Sequence, residues 1–385
     1  MKMLYILNVA NRVNNFCMSS LIAAKKINVE YHIAGNWGYA NDIERIADEK
    51  KYGIRIHQID FIRSPLDVRN YKAYKQLIEI VKYENYDVIH CNTPIGGVLG
   101  RLVGKKNKSC NVIYQAHGFH FYKGAPKLNW MIYYPVEKWL AHYTDVLITI
   151  NQEDYELAKT KFKLRKNGKV YYVPGVGIDT TQYALSAKVR EETRMELNLK
   201  ANDVALISMG DLIERKNYDT AIRAVAATNN LSLQYFICGK GPEEEKLKAL
   251  AESLGVSEQI HFLGFRIDIK ELLAAADIFL FTTKQEGLPR SMMEAMAAGL
   301  PCVASEIRGN TDLLKGTYGG YLCRTTDVSE FTDKLNILSK YKSIREKMGE
   351  NNLATIQKFS TETVNEEIRK IYEIELSKIR VGNNS

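Results

Sequence analysis

Glu286-Gly-Leu-Pro-Arg-Ser-Met-Met-Glu-Ala-Met-Ala-Ala-Gly-Leu-Pro301 is the most informative stretch of the 385-residue chain. It follows the apolar run Ile278–Thr282 and precedes a second, Pro301–Ser305. Both runs have the length and composition of buried strands. Between them, Met292–Ala298 is made of strong helix formers, with glycine and proline before it and Gly299 after it. Strand, loop, helix and strand in this order form one βαβ unit of a parallel sheet. Glu286 stands on the loop and Glu294 inside the helix, eight residues on. Backbone N–H groups at Gly287, Leu288 and beyond suit anionic phosphate or sugar oxygens at a helix start. A helix carboxylate can accept two hydrogen bonds from a vicinal diol such as a ribose, and a loop carboxylate can reach a sugar hydroxyl. By spacing alone, Glu294 as a surface residue and Glu286 as a simple N-terminal charge are equally good readings.

The same grammar extends in both directions. Upstream of Ile278 come Val204–Met209, a loop over Gly210–Asn217, then helix Tyr218–Ala227 and strand Gln234–Cys238. Helix Pro242–Leu254, strand Ile260–Leu263 and helix Ile269–Ala275 follow. In the first half, strands are expected at Leu4–Val9, Glu30–Ala34, Arg55–Ile59, Asp87–His90, Val112–Ala116, Val146–Ile150 and Lys169–Val173. Several are apolar on both faces, as a helix-covered parallel sheet requires. The gaps suit crossover helices such as Tyr71–Tyr83 and Glu153–Lys161. Pro174-Gly-Val-Gly-Ile-Asp179 reads as a hinge. The expected fold class is α/β, with two Rossmann-like doubly wound domains facing a central cleft, because ligands bind at the carboxyl ends of parallel strands. The first domain spans 1–175 and is braced by a returning helix over 360–378; the second spans 176–359.

Composition narrows the class further. The chain is 45% hydrophobic and 25% charged with 8 prolines, and no apolar run nears the roughly 18–20 residues needed to span a bilayer. The opening MKMLYILNV reads as a buried strand, not a signal peptide, since no small-residue cleavage site follows. Six scattered cysteines without a CxxC pair suggest reduced thiols in a cytoplasmic protein. The net charge of +8 is uneven: residues 1–175 hold 26 basic and 15 acidic residues (+11), the rest 27 and 30 (−3). A basic first half suits an anionic partner or simply a well-solvated surface. Nucleic acid is not expected as that partner, because no RRM, zinc-finger or helix-turn-helix pattern is present.

Residues 286–305 resemble the E-x7-E signature of the family-4 retaining glycosyltransferases, which have the GT-B fold. The resemblance covers nearly the whole chain. It includes Gly210-Asp-Leu-Ile-Glu-Arg-Lys-Asn217, Cys238-Gly-Lys-Gly-Pro-Glu243, Phe262-Leu-Gly-Phe-Arg266 and Asp277-Ile-Phe-Leu280. It implies that Glu286 hydrogen-bonds the transferred sugar, Glu294 binds the ribose diol and Lys216 neutralises the donor diphosphate. Backbone near Gly264, Phe265 and Arg266 would meet the base. Fixed cations can stabilise a departing nucleoside diphosphate without a metal, so the expected donor is a UDP-sugar and no metal or other cofactor is expected. The chain departs from the family at Asp211, where an arginine is usual; Arg215 is the expected substitute.

In the first half, Gln115-Ala-His-Gly-Phe-His-Phe-Tyr122 ends a strand in a His-Gly turn. The resemblance places His117 against the donor sugar and ties it to catalysis, while His120 is left between packing and acceptor contact. The loop Ala10–Phe16 lacks the Gly-Gly form common in the family, which leaves Arg12 or Asn14 for phosphate contact. Trp130-Met-Ile-Tyr-Tyr-Pro-Val-Glu-Lys-Trp-Leu-Ala-His-Tyr143 is either core packing of a crossover helix or a membrane-interface segment. Residues 117–151 resemble the capsule and exopolysaccharide branch of the family, whose members extend a polyprenyl-diphosphate-linked glycan on the inner membrane face. That implies a lipid-linked glycan acceptor and peripheral contact with an anionic membrane, which the basic run Lys105-Lys-Asn-Lys108 would favour. A sugar-nucleotide epimerase of the same architecture would need an acid/base pair that the sequence does not display. A catalytically silent donor-binding subunit would not need an intact E-x7-E segment.

Overall fold

The computed structural model describes residues 1–382 except 39, 65, 66, 108, 166 and 167; Lys108 of the basic run therefore lies outside the described residues. Strands and helices alternate almost without exception. The first seven strands are β1 (Lys2–Val9), β2 (Glu30–Asn36), β3 (Arg55–Gln58), β4 (Val88–Asn92), β5 (Asn111–Ala116), β6 (Val146–Thr149) and β7 (Lys169–Tyr172). Between them run α1 (Asn15–Lys26), α2 (Asp42–Tyr52), α3 (Asn70–Glu84), α4 (Pro94–Lys106), α5 (Lys127–Ala141) and α6 (Gln152–Lys161). After α7 (Ala187–Glu196) come β8 (Val204–Met209), α8 (Tyr218–Ala227), β9 (Leu233–Cys238), α9 (Glu244–Ser253), β10 (Ile260–Gly264) and α10 (Ile269–Ala275). There follow β11 (Ile278–Phe281), α11 (Arg290–Ala297), β12 (Cys302–Ser305), α12 (Asn310–Leu314) and β13 (Gly320–Cys323). The chain then turns helical, with α13 (Val328–Lys340), α14 (Lys342–Ile356) and α15 (Thr361–Gly382).

Two compact units result. One comprises residues 1–177 together with those from Thr361 on; the other is Ile178–Ser360. The first holds a parallel sheet of order β3-β2-β1-β4-β5-β6-β7, the second one of order β10-β9-β8-β11-β12-β13. Each order reverses once, between β1 and β4 and between β8 and β11, and such a switch point opens a crevice at the carboxyl ends of the strands.

Each strand serves two cores because its side chains alternate. In β1, Met3, Tyr5 and Leu7 join the cluster under α1 and α15, while Leu4 and Ile6 join the one under α3 and α4. In β8, Ala205, Ile207 and Met209 face one layer, and Val204 and Leu206 the other. The expected strands are all present within two residues of their expected ends. The strand β13 and helices α7, α12, α13 and α14 lie outside the expected elements; Gly320-Tyr-Leu-Cys323 is too short and too punctuated to stand out. Helix α9 starts at Glu244, two residues after Pro242, and Pro242–Glu243 form a turn ahead of it. Helix α15 begins at Thr361 and runs four residues beyond Lys378.

α15 packs on α1, with Val364, Ile368, Ile371 and Tyr372 buried in the first unit. The Tyr372 hydroxyl bonds Ser20 Oγ and lies 2.6 Å from His90 Nδ1. Tyr171 on β7 donates to Glu375 Oε1 at 2.5 Å. Burial pushes His90 down to about 3, and burial also pushes His57 and His117 down to about 4. An unfolded histidine titrates near 6.5, so below that pH the unfolded chain binds more protons and stability falls. From His90 alone, about 2 kcal/mol present at neutral pH should be lost by about pH 5. Trp37, Trp130 and Trp139, the chain's three tryptophans, all lie in this unit. Urea unfolding followed by their fluorescence should show the midpoint dropping between about pH 7 and pH 5. A flat midpoint would mean these rings are not desolvated.

Candidate active site

The second unit concentrates chemistry at its switch point. The loop after β8 carries Arg215 and Lys216, and the loop after β11 carries Glu286. Lys216 Nζ lies 2.7 Å from Glu286 Oε1 and Arg215 Nη1 3.1 Å from the same oxygen. The Thr283 hydroxyl is 3.0 Å from it. Arg215 also donates to the Gln285 carbonyl at 2.6 Å, and its own carbonyl accepts from Lys284 N–H. Two loops distant in sequence are thus stapled by charge. The Lys216 and Glu286 side chains are mostly buried, so water screens this pair less than a surface pair. Lys216 Nζ also lies 5.0 Å from the centre of the Phe281 ring, a cation–π contact that fixes its approach.

The neighbouring loops complete the rim. Gly239 follows β9 with φ +152°, and a Cβ there would come within 1.9 Å of the Gly210 carbonyl oxygen, so only glycine lets the β8 and β9 loops pass. Gly264 ends β10 with φ +67°, and its carbonyl accepts from Gly239 N–H. Phe265 beyond it is exposed, whereas Arg266 is held by Asp268 (2.7 Å) and Glu196 (3.0 Å). α11 starts at Arg290, two residues earlier than expected, with Pro289 in the cap position and no side-chain cap. Glu294 lies one turn into it, mostly buried, and accepts from Arg290 Nε at 2.9 Å. Tyr183 is its other neighbour; burial, then the Glu294 carboxylate, pushes that phenol's pKa up.

Sequence reasoning missed the loop after β12. Arg308, buried, donates from Nε to the Glu286 carbonyl at 3.1 Å. Gly309 has φ +82°, and a Cβ there would come within 2.6 Å of the Gly287 carbonyl oxygen. This loop therefore props the Glu286–Leu288 segment from behind. Nothing local marks Arg308: its role comes from β12 lying beside β11 in the sheet.

In the first unit, His117 directly follows β5 and its Nε2 lies 3.0 Å from Asn92 Oδ1 at the end of β4. Phe16 stands edge-on to its ring at 5.2 Å. Desolvation keeps the imidazole neutral near pH 7. The turn is held by Asp154, whose Oδ2 accepts from Phe119 N–H at 2.9 Å. Thr93, next to Asn92, has φ +63°, a strained conformation for a β-branched residue. Neither Asn92 nor Thr93 stood out in the sequence. His120 is exposed and its ring lies 4.8 Å from that of Tyr133.

Arg12, expected near phosphate, is held in an ion pair: Asp48 takes its guanidinium at 3.0 and 2.9 Å and Glu44 at 3.2 Å. The arginine closes an ion pair between the β1–α1 loop and α2. Asn14 caps α1 instead, accepting from Phe16 N–H at 3.0 Å. All six cysteines are free and buried, and burial raises their pKa values, Cys91, Cys238 and Cys323 to about 12.

A nucleotide-sugar transferase is the class that this pair of sheets and this switch-point cluster suggest, and known proteins bear on it directly. Residues 189–354 match the family model of glycosyl transferases group 1, and residues 5–151 that of glycosyl transferase 4-like proteins. A putative glycosyltransferase of Bacillus subtilis, EpsD, is 34% identical over 353 residues, 90% of each chain. The Escherichia coli UDP-Gal:alpha-D-GlcNAc-diphosphoundecaprenol alpha-1,3-galactosyltransferase is 28% identical over 71% of this chain and 74% of its own. Among solved structures, HepE of Anabaena in complex with UDP aligns with TM-score 0.78 at 19% identity, covering 97% of this chain and all of that one. The chain belongs to the family-4 glycosyltransferases of GT-B fold.

The prop behind Glu286 can be tested. Gly309→Ala adds a methyl group against the Gly287 carbonyl at a φ that side chains resist. It should lower stability by roughly 1–3 kcal/mol, seen as a lower Tm. A variant that melts like the parent would show that the loop does not depend on Gly309.

Proposed function

We propose that this enzyme transfers a hexosyl or N-acetylhexosaminyl group from a UDP-sugar to a glycan hydroxyl with retention of anomeric configuration and without a metal. The acceptor is a polyprenyl-diphosphate-linked glycan, and the setting is bacterial surface polysaccharide synthesis at the cytoplasmic face of the cell membrane. The observation that carries this reading is the pairing of Lys216 and Arg215 on Glu286 at the switch point. The UDP-galactose donor and undecaprenyl-diphosphate acceptor in the name of the Escherichia coli relative support the substrate classes. Among the described residues no helix is long and apolar enough to cross a membrane.

In this proposal the donor diphosphate takes over the cations that Glu286 holds in the free protein. As the C1–O bond breaks, negative charge grows on the diphosphate, and Lys216 and Arg215 stabilise it. Arg215 thereby supplies the cation missing at Asp211. Freed from them, the Glu286 carboxylate accepts hydrogen bonds from hydroxyls of the sugar. Glu294 exchanges Arg290 for the ribose diol, and backbone at Gly264–Arg266 meets the base. His117 acts as a neutral imidazole. The acceptor oxygen bonds C1 on the face the diphosphate leaves, and its proton passes to a donor phosphate oxygen. A double displacement would need a carboxylate nucleophile, a role that neither glutamate has here.

A UDP-sugar at a hundredfold excess over its Kd should stabilise the protein by about 2.7 kcal/mol, visible as a higher Tm, with EDTA present. Loss of the shift on chelation and its return with manganese would refute metal independence. The two glutamates should separate. Glu294→Ala weakens UDP binding by roughly 1–3 kcal/mol, while Glu286→Ala leaves UDP affinity nearly intact and lowers turnover. Equal losses of UDP affinity in both variants would end this division of roles.

A further inference from the structure

We propose that the outward face of α5 docks this protein reversibly on an anionic lipid bilayer. The inference deepens the reading above, on which it rests for a membrane-borne acceptor. α5 is apolar on both sides. Trp130, Tyr133 and Tyr134 pack partly buried against the first unit's core, and Leu140 and Ala141 are buried there. On the opposite side Leu128 (61% exposed), Met131 (73%), Ile132, Pro135, Val136 and Trp139 (47%) face solvent. Their spacing of i, i+3, i+4, i+7, i+8 and i+11 makes one continuous outward stripe. A helix apolar all round is normally covered on both sides, and an exposed apolar stripe of this kind marks a docking surface.

Charge identifies what covers it. Residues 94–143 carry seven Lys and Arg and a single acid, Glu137. Glu137 is turned inward, where Arg101 of α4 takes both its oxygens at 2.6 and 3.1 Å over the Tyr114 ring. The outward face of α5 is thereby cleared of carboxylate. Around the stripe, Lys105, Lys106, Lys123, Lys127 and Lys138 are exposed, and among the described residues none is paired with a carboxylate. Lys105 Nζ sits over the rings of Trp139 and Tyr143, at 5.2 and 4.5 Å, which joins the cationic rim to the aromatic end of the stripe. Protein interfaces are depleted of lysine. A tryptophan-bearing apolar stripe rimmed by lysines is the pattern of a helix lying in the interface of an anionic membrane.

Flotation with vesicles of phosphatidylcholine, alone or mixed with phosphatidylglycerol, at low and high salt, tests the proposal. The full chain should float with the anionic vesicles, remain below with phosphatidylcholine alone, and be released as salt rises. Lys123→Gln with Lys127→Gln should lower partition about fivefold per lysine. Met131→Ser with Trp139→Ser, both at exposed positions, should lower it about tenfold or more. UDP release from a UDP-sugar panel should be unchanged in both variants. Failure of the parent to float with anionic vesicles at low salt would overturn the proposal, as would variants that float like the parent. So would a self-associated parent whose dimer, and not whose vesicle binding, is lost on Met131→Ser with Trp139→Ser. A parent that floats but releases UDP from no donor would defeat the proposed reaction and leave the docking surface standing.

Discussion

A parallel sheet puts every strand-to-helix loop at one edge, and the organisation of both units follows from that constraint. Parallel strands need crossover helices on both faces, so each strand is buried on both sides and each helix shows an apolar stripe inward. The loops gather at the carboxyl edge whether or not they are neighbours in sequence. Where strand order reverses, the flanking loops diverge and leave room for a ligand. In the second unit that point lies between β8 and β11, and their loops meet at Glu286.

At this junction, charge does what packing does elsewhere. Lys216 and Arg215 hold Glu286, hydrogen bonds of Asn217 with Thr282 join the same two loops, and Arg308 and Gly309 support the peptide from the neighbouring strand's loop. Such a site is cohesive while its charges are matched. Glu294, held by Arg290, has the same logic on a smaller scale.

The first unit is assembled on different terms. Its buried polar contacts include histidine, tyrosine and asparagine pairs, such as His90 with Tyr372 and His117 with Asn92. Neutral groups like these tolerate burial, whereas charged imidazoles would not. Lys105, Lys106, Lys123, Lys127 and Lys138 are exposed, while the buried Arg101 pairs with Glu137 across α4 and α5 and keeps the only carboxylate of residues 94–143 inside. An uneven surface results from the internal packing.

The sequence alone determined the alternation of strands and helices, the restart of the pattern near Val204 and the Glu286/Glu294 pair. These depend on local periodicity and on one contiguous motif, and both can be read along a chain. It also singled out Lys216 and Arg215 as charges, but not that both meet one oxygen of Glu286, seventy residues away. Tertiary structure decided that Arg12 pairs with Asp48, since α2 brings the carboxylate back beside the β1–α1 loop. It decided as well that Arg308 and Gly309 stand behind Glu286, because β12 is the neighbour of β11. The aromatic density of α5 was plain in the sequence, while the split into a buried and an exposed face was not. Periodicity shows a face only when polar residues mark its edge, and α5 is apolar on both sides.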